Sequence, residues 1–144
     1  MHAGNHSPST TAAAARGIVA AMAMTGMRRM TTGLGLLRKP PPDEIATEGM
    51  PAVLARVPPD RRDEAIELAH WAFGAVASVG YSLLPVLARR RGWSGAAYGL
   101  AIWAAYEALV TPALEQRGGE ARTVSDRIAL ALDHVLYGAI IQER

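Results

Sequence analysis

Two stretches decide how this chain reads: residues 69–88, AHWAFGAVASVGYSLLPVLA, and residues 93–114, WSGAAYGLAIWAAYEALVTPAL. The first has no Asp, Glu, Lys or Arg over twenty residues, and only His70 breaks it. The second has one charge, Glu107, in twenty-two residues. At a rise of about 1.5 Å per residue, each is long enough for a hydrocarbon core of roughly 30 Å. Arg89, Arg90, Arg91 and Gly92 join them, and so short a link makes an antiparallel hairpin.

Outward from that hairpin, two shorter apolar runs suggest further helices, Ala12 to Met27 and Ile128 to Ile141. Lys39 to Pro42 (KPPP) ends the first helix, because consecutive prolines withhold backbone donors and fix an extended path. Residues 43–68 mix charge with Pro51, Pro58 and Pro59, and read as a surface segment with a short helix at 43–55 and a helix starting near Asp60. Thr123, Ser125 and Asp126 mark another helix N-terminus. The expected fold class is therefore all-α, a multi-pass transmembrane helical bundle of about four helices. Residues 1–11 read as a disordered tail. Residues 12–144 read as a single helical membrane domain with a Pro-rich loop at 38–60.

Composition agrees with that expectation. The chain has 144 residues, of which 50% are hydrophobic and 19% charged, and alanine fills 28 positions. Mean hydropathy is +0.09. The absence of cysteine excludes disulfides, cysteine nucleophiles and thiolate metal sites. Net charge is only +2, and the arginines cluster at the ends of apolar runs instead of interleaving with aromatics, so nucleic acid is not an expected partner. The expected partners are the lipid bilayer and a second copy of the chain or a larger membrane complex. The expected location is the bacterial cytoplasmic (inner) membrane, with Arg89–Arg91 drawing the hairpin tip and both termini to the cytoplasmic side. The first run faintly mimics a signal peptide but lacks a leucine-rich core.

Small residues recur at four-residue spacing in the apolar runs, notably Gly74 in the second and Gly95 with Gly99, a GxxxG, in the third. Such positions let helix backbones approach closely, either between subunits or within one. Trp71 and Trp93 read as interfacial belt residues, and Trp103 as an internal one.

Ionisable groups inside apolar runs are costly and therefore candidates for function. His70, Glu107, Asp133 and His134 form the expected intramembrane polar cluster, either structural or proton-handling. Glu67 and His70 also make a single Glu-x-x-His. With Glu107, Asp133 and His134 they give a candidate ligand set for a metal- or haem-dependent membrane enzyme or electron-transfer subunit. Motifs for nucleotide, phosphate or nucleophile chemistry (GxGxxG, P-loop, HExxH, GxSxG) do not occur. No catalytic residue and no cofactor are therefore expected. The leading expectation is a small integral membrane protein without evident enzymatic activity, serving as an accessory or an acid- or stress-response component.

Several of these residues also carry a resemblance. His70-Trp71-Ala72-Phe73-Gly74, Tyr81, Gly95-Ala96-Ala97-Tyr98-Gly99, Trp103, Pro112-Ala113-Leu114, and finally His134, Tyr137 and Gly138 resemble the YagU-like family of small multi-pass bacterial inner-membrane proteins. The likeness covers about residues 68–141. It implies a multi-pass inner-membrane protein linked to survival in acid, with no established enzymatic activity or catalytic residues. Glu107 stands where the family pattern leads one to expect a histidine, so no role transfers to that position.

Overall fold

Ser9 opens the first helix by accepting a hydrogen bond on its side chain from Ala12 N. Helix α1 then runs Thr10–Gly33, starting inside the segment read as a tail. The computed structural model describes residues 9–142, and residues 1–8 of that tail lie outside it. After Gly35, whose φ of 71° suits glycine, the chain turns into a strap of short helical pieces. These are α2 (Pro41–Glu44), a π turn at Ile45–Gly49 and α3 (Pro51–Leu54). The Pro-rich loop at 38–60 thus carries helical turns across the stretch expected as a short helix at 43–55, with prolines at the first positions of those turns, where no donor is needed.

Three further long elements follow. Helix α4 spans Arg62–Ser82, and α5 (Val86–Arg89) makes the corner. Helix α6 (Ser94–Ala105) continues through a π turn at Tyr106–Val110 into α7 (Thr111–Glu115). Helix α8 spans Val124–Ile141 and opens on a capping box in which Thr123 and Asp126 bond each other's backbone N–H, at the start the sequence marks. Both π turns lie just before a proline, Pro51 and Pro112. A proline ring clashes with the carbonyl four residues back, and the wider turn moves the ladder out of its way.

The fold is all-α, with no strand among the described residues. Its four long helical elements match the number expected. The transmembrane part of that expectation is overturned: among the described residues no helix is long and apolar enough to cross a membrane. The apolar runs are not the helices. The run 69–88 contains the end of α4 at Ser82 and then Pro85, while α4 itself begins with Arg62, Asp63, Glu64 and Glu67. The run 93–114 is interrupted by the π turn and Pro112. Helix α1 carries Arg16, Arg28 and Arg29, and α8 carries Asp126, Arg127 and Asp133. Much of what remains is Ala, Gly, Ser and Thr, which gain little by entering hydrocarbon. An integral membrane protein, an inner-membrane location and an orientation of termini across a bilayer all fall with that finding. So do the belt roles of two tryptophans: Trp71 Nε1 donates to Thr25 Oγ1 at 3.3 Å, and Trp93 lies 5.8 Å beneath the Arg91 guanidinium.

Helix α4 packs on α1, α1 on α8, and α8 on α6. Glycines make the contacts close. A Cβ on Gly74 would sit 2.7 Å from Ala21 Cβ and 2.8 Å from Gly17 O. Gly95 and Gly99 lie against the backbone of Gly138 and His134, so the GxxxG face is covered by α8 of the same chain. Ala20, Met24, Tyr81, Tyr137 and Ile141 fill the centre. At the corner, Tyr81 and Ser94 hydroxyls bond each other at 2.7 Å, and Ser94 donates to Arg89 O. Tyr98 hydroxyl donates to Ala77 O at 2.8 Å, joining α6 to α4 at that end.

Two alanine substitutions separate packing from propensity. Gly99→Ala drives a methyl into the His134 backbone and should cost about 3 kcal/mol, lowering Tm by about 10 °C. Gly26 in α1 has nothing near its Cβ position, and Gly26→Ala should raise stability by about 1 kcal/mol. Thermal unfolding of both variants checks the pair, and a harmless Gly99→Ala would refute the close α6–α8 contact.

Candidate functional site

The helix order leaves one side of the bundle open. Helices α4 and α6 are tied at the Tyr98 end, and toward the other end a cavity of about 660 Å³ separates them. Helix α4 contributes Ala69 and Phe73 to one wall, α6 and its π turn contribute Ile102 and Leu109 to another, and the strap closes over with Ile45 and Met50. This volume falls in the range of small-molecule pockets. The lining is apolar except at the wall where α1, α4 and α8 meet. There Arg28, His70, Asp133 and His134 come together.

Each of these side chains is placed by helix packing. Arg28 is buried at the end of the α1 face that contacts α4. Its Nη2 donates to Thr25 Oγ1 at 3.1 Å, one helical turn earlier. Thr25 in turn donates to Glu67 Oε2 at 2.8 Å on α4, and Glu67 lies 3.9 Å from Arg28 Nη2. The His70 ring faces the same guanidinium, with Nδ1 3.1 Å and Nε2 3.4 Å from its nitrogens. A neutral imidazole has one acceptor nitrogen, so only one of these contacts is a hydrogen bond. Burial, Arg28 and His134 together push His70 down to about 3, so its ring stays neutral.

On α8, His134 donates from Nδ1 to Leu130 O at 2.8 Å, which fixes its tautomer and leaves Nε2 as an acceptor with no partner among the described residues. Burial lowers its pKa too. Asp133 is 1% exposed, and neither carboxylate oxygen has a hydrogen-bond partner. Burial raises Asp133 to about 7, against an opposing pull from Arg28, which acts at a distance without a direct bond. Tyr137, one turn on, is satisfied by donating to Gly74 O at 2.6 Å.

Three of the four residues expected to form a polar cluster therefore meet, at the wall of a cavity and not within a bilayer. Glu107 does not join them. It lies 3.8 Å from Arg122 Nε and 3.6 Å from Arg127 Nε and does not line the cavity. Arg122 also pairs with the buried Glu44, donates to Tyr106 hydroxyl at 2.7 Å and stacks 5.2 Å over that ring. Asp126, although burial opposes it, is held at about 2 by hydrogen bonds from Thr123 and Arg38. These pairs fasten the strap and the 116–123 connection to the ends of α6 and α8.

The metal reading is not supported by this geometry. Among the described residues no group of three or more His, Asp and Glu converges as a ligand set. Glu67 and His70 both turn to Arg28, a fixed cation that opposes a second one between them. In the sequence Arg28 stands only as the residue that ends the apolar run 12–27. Its partners lie about forty residues away on α4, and no local signal marks them. No family model, curated protein or solved structure matches this chain.

Asp133 and His70 tilt acid stability in opposite directions. Unfolded Asp ionises near pH 4, so between about pH 4 and 7 the native state keeps a proton the unfolded chain has lost, and stability falls as pH rises. Unfolded His titrates near 6.5 and folded His70 near 3, so its contribution is lost as pH falls from about 6.5. In the wild type the two slopes offset each other. Asp133→Asn should leave the histidine slope exposed, with stability falling on acidification by up to about 1.4 kcal/mol per pH unit. His70→Gln should reduce the histidine side and turn the balance toward stability that falls as pH rises. Urea titrations across this range check both, and an Asp133→Asn profile parallel to wild type would mean that Asp133 is ionised in the native state.

Proposed function

We propose that this protein is a small-molecule binding protein that holds an apolar ligand in the cavity between α4 and α6. The observation that carries the reading is the cavity itself. It is about 660 Å³, apolar on almost every side, and carries convergent polar groups on one wall only. That distribution is the usual form of a ligand site, in which apolar walls supply affinity and a few polar groups set orientation. A space left by imperfect packing would be costly, since each missing contact forfeits dispersion and transfer energy.

Three further features support it. The polar wall is held by three helices and not by loops, so its groups are preorganised. The strap over one end is built from short turns separated by prolines, and Lys39 pins it through Glu48 at 2.7 Å and Thr47 at 2.9 Å. Exposed Phe73, Met50 and Leu109 lie around the opening, where they would meet an entering apolar molecule.

The test is a fluorescence titration with pyrene, an uncharged apolar probe. Saturable one-site binding of order micromolar strength is expected. Ala69→Phe, which adds a ring at an exposed cavity-wall position, should weaken it by about tenfold while leaving the helical circular dichroism unchanged. Absence of saturable binding, or binding indifferent to Ala69→Phe, would overturn the reading.

A further inference from the structure

We infer that the ligand's polar end is a protonated amine, seated at the α1–α4–α8 wall with Asp133 and His134 as its acceptors. The inference rests on the binding reading above and adds the class of head group. At this wall the acceptors of Asp133 and His134 receive no donor from the described residues. Both Asp133 oxygens are shielded from water and unpartnered, and His134 offers a free Nε2 because its Nδ1–H is committed to Leu130 O. The donors nearby are bonded elsewhere and none of them reaches Asp133: Arg28 gives N–H groups to Thr25 and to one His70 nitrogen, Trp71 bonds Thr25, and Tyr137 bonds Gly74 O. A buried acceptor left unpaired costs the full desolvation of the group, and a ligand that brings the missing donor recovers it.

Charge selects among donors. Among the described residues Arg28 is the one fixed cation acting on this wall, and the carboxyls of Asp133, Glu67 and Asp43 all act on it. Glu67 lies within ion-pair distance of Arg28, whereas Asp133 does not bond it directly and Asp43 stands further along the strap. His70 and His134 are neutral and add nothing. The local balance is therefore negative whenever Asp133 is ionised, and a cationic head restores neutrality where an alcohol cannot. A carboxylate head would add a further negative charge beside unpaired oxygens. The apolar body of such an amine lies in the cavity toward Phe73 and Ile102.

The experiment compares octylamine, octan-1-ol and octanoate, each displacing pyrene below its micelle concentration, at a pH above 7 where Asp133 is ionised. The amine is expected to bind about tenfold tighter than the alcohol, with octanoate weakest. Asp133→Asn, close in shape and free of the buried charge, should erase the amine's advantage and leave the alcohol's affinity within about twofold. Equal affinities for amine and alcohol, tightest binding of octanoate, or an undiminished amine preference in Asp133→Asn would overturn the head-group inference. If pyrene binds but none of the three displaces it, the head-group inference fails and the cavity reading stands. If pyrene itself does not bind, both fail. Should Asp133→Asn not fold, the wild-type ranking of the three ligands decides.

Discussion

Backbone contact at paired glycines governs this molecule. Gly17 against Gly74 draws α1 onto α4, and Gly95 with Gly99 against Gly138 draws α6 onto α8. Each pair closes to a distance that no side chain would permit, and α1 against α8 joins the pairs. Three close contacts among four helices leave the fourth side, α4 to α6, to be decided by what remains. At one end Tyr98 reaches across to Ala77 O and stands edge-on to Tyr81 at 5.3 Å. At the other end no comparable bridge spans the gap among the described residues, and the cavity results.

The polar wall of that cavity follows from the same packing. Because α1 and α4 lie close, Arg28 cannot reach water and turns to Thr25, Glu67 and His70. Because α8 packs on α1, Asp133 is carried into the same region without a donor. An arginine, two neutral histidines and an elevated carboxyl group at the end of an apolar space are costly to maintain for stability alone. The second ionic group, built on Glu44, Arg122, Glu107 and Arg127, does a different task. It ties the strap and a glycine-bearing connection to the bundle ends, with every acid opposite a base.

Much of the fold is visible in local signals. The prolines at 40–42 and the Thr123–Asp126 cap mark helix boundaries, and the apolar stretches give the number of long helical elements, although 69–88 is displaced toward the C-terminus of α4. Glycines at 74, 95 and 99 announce close packing, although not with which partner. Charge-free length alone does not make a membrane span, because the small side chains between the charges gain little from hydrocarbon. In 69–88, Gly74, Ser78, Gly80 and Ser82 lower the hydropathy, and Pro85 lies beyond the end of the helix. The π turn at Tyr106–Val110 depends on how the ladder accommodates Pro112, which the residue pattern does not reveal. Of the candidate site, His70, Asp133 and His134 were legible as ionisable groups in apolar surroundings. Arg28 and the separate role of Glu107 were not, because their partners are remote in sequence: Glu67 and His70 for Arg28, Arg122 and Arg127 for Glu107.

The central claim is that α4 and α6 stand apart where the cavity lies. The chain has no cysteine, so a pair introduced as Ala69→Cys and Ala105→Cys, on opposite walls, reports on that gap alone. A disulfide needs Cα atoms within about 7 Å, which packed helix faces can reach and cavity walls cannot. Under a mild oxidant the folded double variant should stay reduced, while the same chain oxidises once unfolded in denaturant. Rapid, complete disulfide formation in the folded protein would show that the two helices close on each other, and the cavity account would be wrong.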